Sequence, residues 1–137
     1  MGGFLAYLRK SILVAALVIG YGSAHAEGDP EKGEKVFRKC QACHAVGEDA
    51  RSRVGPPLNG IVGAEWGHTE GYRYSKPLLA GKDEGRVWDV ETLTAYLKDP
   101  KDVIPRGRMA FAGLRKDAEI ENIIAYLDQF KENGELK

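Results

Sequence analysis

The sequence predicts an all-α domain with three main helices, one short helix and long connecting loops. Apolar residues recur at helical spacing in three segments, and Asp29 and Asp89 are suited to cap the first two. Between residues 44 and 88 the chain is rich in glycine and proline and lacks the alternating apolar pattern of strands. We therefore expect helices and loops without a sheet.

The first residues carry the pattern of an export signal. Arg9 and Lys10 precede an apolar run over 11–20, and the small-residue tripeptide Ala24-His25-Ala26 follows it. The run is shorter than the roughly 20 residues that span a bilayer, which makes a retained anchor the weaker alternative. The sequence predicts a cleavable secretory signal peptide over residues 1–26 and a single domain over residues 27–137.

The charge balance argues against a nucleic-acid partner. The chain has 20 basic and 20 acidic residues, and the predicted leader removes Arg9 and Lys10 but no acidic residue. A nucleic-acid-binding protein needs an excess of basic side chains that face phosphates. The remaining chain is slightly acidic, so we expect no binding to DNA or RNA.

The first predicted helix follows Asp29 and begins with Pro30, whose fixed φ suits the first helical position. Gly33, Val36 and Phe37 then fall on one face. A glycine inside a helix costs about 1 kcal/mol relative to alanine. We therefore expect Gly33 to lie where the last helix crosses closely.

Two further main helices follow a loop region that contains one short helix at about 75–80. The earlier one begins after Asp89 and ends at Asp99-Pro100, and the loop that carries Met109 follows directly. The last helix begins at about Asp117. Their apolar stripes contain Val90, Leu93, Thr94 and Leu97, and then Ile120, Ile123, Ile124 and Leu127, with Tyr126 beside them.

Both cysteines stand in one motif, Cys40-Gln41-Ala42-Cys43-His44. This C-x-x-C-H spacing is typical of covalent haem attachment, in which two thiols add to the vinyl groups and the histidine offers its imidazole to iron. Two alternatives stay open. One is a redox-active disulfide, and the other is a zinc site that would also need His68, which has no partner at zinc-finger spacing.

The sixth iron ligand decides between an electron carrier and an open haem site. Met109 is the one methionine beyond the leader, and it lies in a segment that Pro105 and Gly107 keep from being a regular helix. A thioether bound to iron closes the site and raises the reduction potential. His68 and several lysines are the alternative ligands.

With these motifs, Gly55-Pro56-Pro57-Leu58, Trp88 and the stretch 104–113, the chain resembles class I cytochromes c. It is most similar to the cytochrome c2 and mitochondrial cytochrome c branch, over residues 28–130. The resemblance implies a class I cytochrome c fold around one covalently bound haem c, in the bacterial periplasm.

The resemblance also implies a role for individual residues. Cys40 and Cys43 would hold the haem, with His44 and Met109 as axial ligands, and the carbonyl of Pro56 would accept a hydrogen bond from His44. Tyr74 and Trp88 match donors to a buried propionate, Tyr96 matches a tyrosine near the methionine sulfur, and Phe111 matches an aromatic at the exposed haem edge. Gly33, Phe37, Ile123 and Tyr126 match the crossing of the first and last helices.

Three positions depart from the family pattern. Ala64 stands about where many relatives have an arginine near the propionates, and Gly107 replaces a threonine. No asparagine stands near Leu78, where relatives often have one. We therefore expect a looser propionate network.

The implied function is that of a monomeric electron carrier without a small-molecule substrate. It would pass electrons from a bc1-type quinol–cytochrome c reductase to a terminal oxidase of a respiratory chain or to a photosynthetic reaction centre. Alternatives are service to one periplasmic dehydrogenase and, in another class, a small haem peroxidase or gas-binding protein. Basic residues near the haem edge would either steer acidic partners or form an ordinary solvated surface: Arg38, Lys39, Arg106, Arg108, Arg115 and Lys116.

Overall fold

The computed structural model describes residues 28–137, so the predicted signal peptide over residues 1–26 lies outside the described residues. Helices account for the regular structure of this part of the chain. They are α1 (Pro30–Phe37), α2 (Lys76–Asp83), α3 (Val90–Lys98), α4 (Pro100–Val103) and α5 (Asp117–Leu127). Within residues 28–137 there is no strand, and only two isolated bridges occur, Glu65 with Val87 and Phe130 with Leu136.

The two predicted aspartate caps are confirmed. The carboxylate of Asp29 accepts hydrogen bonds from the backbone N–H groups of Glu31 and Lys32 at the start of α1. Asp89 accepts one from the N–H of Thr92 at the start of α3. Each carboxylate accepts hydrogen bonds from N–H groups that have no partner inside the helix. A cap of this kind stabilises the helix by about 1 kcal/mol.

The predicted close crossing of the first and last helices is confirmed as the contact between α1 and α5. Gly33 is buried, and a Cβ at this position would overlap the backbone carbonyl oxygen of Asn122 in α5. The side chain of Asn122 accepts a hydrogen bond of 2.7 Å from the N–H of Asp29. Further along the interface, the rings of Phe37 and Tyr126 lie 5.5 Å apart. The missing side chain of Gly33 is therefore what allows the two backbones to approach.

The core lies between α1, α3 and α5 and extends toward the loops around residues 58–66. Ile120 and Ile123 of α5 are almost completely buried, as is Phe37 of α1. Leu93 and Leu97 complete the core from α3. No helix within residues 28–137 has the length and apolar character needed to cross a membrane.

Two short helices differ from the sequence-based expectation, one in its length and one in being present at all. The short helix predicted at 75–80 begins at Lys76 and continues to Asp83. The loop of Met109 does not follow α3 directly, because Asp99 accepts hydrogen bonds from the N–H groups of Lys101 and Asp102 and caps α4. Pro100 cannot continue α3, but its geometry suits the first residue of a new helix.

We predict that Gly33→Ala destabilises the folded protein by about 2 kcal/mol or more. The added methyl group meets backbone atoms of α5, and overpacking of this kind outweighs the gain of about 1 kcal/mol in helix propensity. Urea unfolding of the mature haem-containing protein measures the change. Lys35→Ala, an exposed position of the same helix, is the control and should alter the free energy of unfolding by less than about 0.5 kcal/mol. Equal stabilities for the two variants would contradict the close crossing.

Candidate functional site

A cavity of about 580 Å³ separates the α1 side of the domain from the loop that carries Met109. Its volume lies within the range typical of sites for small molecules and cofactors. Its lining is mostly apolar and contains no acidic residue. Every residue predicted for the site lines this cavity: Cys40, Cys43, His44, Pro56, Tyr74, Trp88, Tyr96, Met109 and Phe111.

The cysteine motif forms a tight turn directly after α1. The N–H of Cys43 and that of His44 both donate to the carbonyl oxygen of Cys40, at 3.0 and 2.8 Å. Neither thiol is in a disulfide. Burial raises the pKa of the Cys40 thiol to about 11, against a smaller opposite effect of Lys39. Burial therefore disfavours the Cys40 thiolate, which is the nucleophile that thioredoxin-like exchange needs.

His44 is held so that one ring nitrogen remains available. Its Nδ1 lies 2.7 Å from the carbonyl oxygen of Pro56, and since a carbonyl only accepts, Nδ1 carries the proton. Burial lowers the pKa of His44, although the hydrogen bond to Pro56 opposes this. The imidazole is therefore neutral at neutral pH, and Nε2 has a lone pair that suits a metal ion.

Gly55 packs directly against the imidazole ring of His44. A Cβ on Gly55 would overlap the imidazole atoms of His44, and the N–H of Gly55 donates to the carbonyl oxygen of Cys43 at 2.9 Å. The segment 55–56 therefore restrains His44 in two ways, by a hydrogen bond at one edge and by backbone contact. The predicted contact between His44 and Pro56 is present.

Met109 reaches the cavity from the loop between α4 and α5. Its sulfur accepts a hydrogen bond of 3.7 Å from the hydroxyl of Tyr96 in α3. Burial raises the pKa of Tyr96 to about 12, so the phenol keeps its proton and remains a donor. Arg106, three residues before Met109, has φ of 62°, a left-handed conformation that side chains other than glycine adopt at a cost of about 1 kcal/mol.

Tyr74 and Trp88 lie on the cavity wall, in agreement with the resemblance. The hydroxyl of Tyr74 accepts a hydrogen bond of 3.1 Å from the N–H of Thr69, which leaves its own proton to be donated. Trp88 is 5 % exposed and lies between two aromatic rings, those of Trp66 and Tyr96. Tyr74 and Trp88 thus each place a hydrogen-bond donor group on this wall.

Several residues of the site were missed by sequence reasoning. Tyr72 and Arg73 line the cavity, and Arg108 donates a hydrogen bond of 3.0 Å to the carbonyl oxygen of Arg73. Of the six predicted basic residues, only Lys39 and Arg108 line the cavity. The Lys39 ammonium pairs with Glu119 at 3.0 Å. Closeness in sequence to the motif was a poor guide, because Arg73 reaches the cavity from a separate loop.

Comparison with known proteins agrees with this fold and site. The cytochrome c family model matches residues 30–131. The chain is 44% identical over 110 residues to cytochrome c-550 of Nitrobacter winogradskyi, covering 80% of this chain and 98% of that protein. It is 48% identical over 101 residues to cytochrome c2 of Agrobacterium tumefaciens, covering 74% and 91%.

A solved structure has a similar fold. Cytochrome c2 from Rhodospirillum centenum superposes with a TM-score of 0.72 at 37% identity, covering 76% of this chain and 99% of that one. The fold and the site together define a c-type cytochrome. The chain belongs to the cytochrome c family, whose members bind haem c covalently and carry electrons rather than catalyse reactions.

The residues around the cavity fit this cofactor. Two thiols, a neutral imidazole and a thioether are the groups by which c-type haem is attached and its iron coordinated. They converge on one cavity whose remaining lining is mostly apolar, as a porphyrin requires. The class I cytochrome c fold and the single haem c expected from the sequence are both confirmed by family membership.

We predict that Gly55→Ala weakens the iron–histidine bond. The new methyl group would displace the imidazole of His44 and lengthen its hydrogen bond to Pro56, and loss of such an outer contact typically weakens metal ligation 10- to 100-fold. The proton NMR spectrum of the oxidised protein, in which the ring-proton signals of an iron-bound histidine are strongly shifted, measures the change. Val54→Ala, at the 76 % exposed neighbouring position, is the control. Unchanged His44 ring signals in Gly55→Ala would show that this contact does not restrain His44.

Proposed function

We propose that the protein carries single electrons through one haem c attached to Cys40 and Cys43, with His44 and Met109 as the iron ligands. The observation that carries the proposal is the convergence of both thiols, the neutral imidazole and the thioether on one apolar cavity. When bound there, haem c supplies a one-electron redox couple. The surrounding residues hold it, orient its ligands and exclude water.

The ligand contacts support an electron carrier over a haem enzyme. His44 would offer Nε2, because its Nδ1 donates to Pro56. The hydroxyl of Tyr96 donates to the sulfur of Met109 and so restrains the side chain proposed as sixth ligand. With two protein ligands, no coordination position is open to a substrate or a gas. The peroxidase or gas-binding alternative would need Met109 to stay away from iron.

The surface around the cavity opening is suited to a negatively charged partner. We define the cavity mouth as the exposed lining residues Lys39, Val54, Arg73, Arg108 and Ala110. Three of the five are basic, and the cavity lining contains no acidic residue. A basic area on a chain that is slightly acidic without its predicted leader orients the molecule as it approaches an acidic surface.

The partners that we propose are a bc1-type quinol–cytochrome c reductase as donor and a terminal oxidase or photosynthetic reaction centre as acceptor. The compartment is the bacterial periplasm, reached through a cleavable signal peptide over residues 1–26. Support comes from the relatives, which are bacterial proteins named cytochrome c2 and cytochrome c-550. A dedicated periplasmic dehydrogenase is the second candidate donor, and direct rate comparison with both purified donors separates the two.

Met109 ligation is tested with carbon monoxide. We expect that the reduced protein does not bind carbon monoxide, because the Met109 sulfur fills the sixth position. The Met109→Ala variant should bind carbon monoxide. The oxidised Met109→Ala protein should also lose the long-wavelength absorption band of iron–thioether ligation. His68→Ala is the control for the alternative ligand and should leave both properties unchanged. Binding of carbon monoxide by the unsubstituted protein would favour a haem enzyme or sensor.

The cavity mouth is tested by charge reversal. Arg73→Glu and Arg108→Glu should each slow electron transfer with an acidic partner roughly 10-fold at low ionic strength. The difference should disappear near 1 M salt, where exposed charges are screened. Stopped-flow reduction by the bc1 complex measures the rates. Lys35→Glu makes the same charge change on exposed α1, outside the mouth, and an equal slowing there would show that only net charge matters.

A further inference from the structure

Four neighbouring side chains lead from the surface to the cavity. The guanidinium of Arg86 lies 5.3 Å from the ring centroid of Trp66. The indoles of Trp66 and Trp88 are stacked at 4.7 Å with 22° between their planes. Trp88 in turn contacts Tyr96, with ring centroids 4.8 Å apart. Trp88 and Tyr96 line the cavity, whereas Trp66 does not, so Trp66 acts on the cavity only through its neighbours.

The backbone holds the two indoles face to face. The N–H of Trp66 donates to the carbonyl oxygen of Arg86 at 3.0 Å, and the N–H of Trp88 donates to that of Ala64 at 2.7 Å. These bonds pair the segments 64–66 and 86–88, on either side of the bridge between Glu65 and Val87. The register of this short pairing places both tryptophans on the same side.

The other face of Trp66 is closed by α2. A Cβ on Gly81 would overlap the six-membered ring of Trp66, and Trp66 is 2 % exposed. Trp66 therefore has no room to move away from Trp88. Its Nε1 is buried without a hydrogen-bond partner among residues 28–137. A buried N–H of this kind costs about 1–3 kcal/mol, so filling the core is a poor explanation for an indole here.

The indole of Trp88 matters because the inner cavity wall carries no fixed positive charge. The basic lining residues other than histidine, Lys39, Arg73 and Arg108, are exposed at the mouth. Burial lowers the pKa of His68, which keeps that ring neutral at neutral pH. A negative group in the cavity must therefore be stabilised by neutral donors, whose orientation counts strongly in a medium of low dielectric constant.

We propose that Trp66 is a positioning residue that orients the Trp88 indole and, through it, raises the reduction potential. This inference rests on the proposed function, because it takes the N–H of Trp88 as a donor to the haem propionate. If Trp88 turns away, the propionate charge is less neutralised. Uncompensated negative charge favours the oxidised iron, which has the extra positive charge, so the potential falls.

The test is a double-mutant cycle read as reduction potential. Trp66→Leu keeps an apolar side chain but removes the flat face against Trp88, and we expect a three- to tenfold shift of the one-electron equilibrium toward the oxidised form. A tenfold shift corresponds to 59 mV for one electron. In a Trp88→Phe background, which lacks the donor, Trp66→Leu should leave the potential unchanged. If Trp66 had only a structural role, Trp66→Leu would lower the stability in both backgrounds. Its effect on the reduction potential would then not depend on the Trp88 donor.

Two further variants keep the test decisive. Trp66→Phe retains an aromatic face, so it should fold and shift the potential less than Trp66→Leu. Val87→Ala, at the partly exposed position between Arg86 and Trp88, is the matched control and should not change the potential. Equal shifts with and without the Trp88 donor, or no shift at all, would overturn the inference while leaving the electron carrier intact. Absence of any one-electron couple in the unsubstituted protein would instead overturn the proposed function itself.

Discussion

The rest of the structure depends on an apolar space that the side chains of the domain do not fill. The cavity has a volume of about 580 Å³ and a mostly apolar lining. Apolar side chains that face such a space lack packing partners unless an apolar group fills it. The covalent haem c of this family therefore completes the apolar core as well as supplying the redox centre. Core side chains such as Ile123 and Leu127 line the cavity directly.

The crossing of α1 and α5 determines where this space opens. Gly33 lets the helix backbones meet, and α1 then ends at Phe37, three residues before the first thiol. The turn that follows is closed by hydrogen bonds to the carbonyl of Cys40. Both thiols and the imidazole of His44 thus face a cavity whose floor is the buried side of α5. The contact between α1 and α5 in this way determines the position of the attachment motif.

Local signals in the sequence predicted the main helices, the residues of the motif and, through Gly33, the crossing of the first and last helices, whereas the contacts between distant loop segments were not predicted. Asp29 and Asp89 act within one helical turn, so their caps are readable from the chain. The cap of α4 was missed because Asp99-Pro100 was interpreted only as an end. Trp66 shows no periodicity in a glycine-rich stretch, and its contact with Trp88 arises from long-range pairing. Pro56, Tyr74, Tyr96 and Phe111 came from the family resemblance, not from spacing.

The two sides of the cavity are restrained unequally, and this bears on electron transfer. His44 is hydrogen-bonded to Pro56 and pressed by Gly55, both on the backbone of one segment. Met109 is held by a longer hydrogen bond from Tyr96, on a loop that also contains the left-handed Arg106. Both restraints come from the protein itself, so under the proposed ligation neither depends on the oxidation state of the iron. Tyr96 is a partly buried side chain of α3, and because its phenol keeps its proton near neutral pH it offers the sulfur a constant donor.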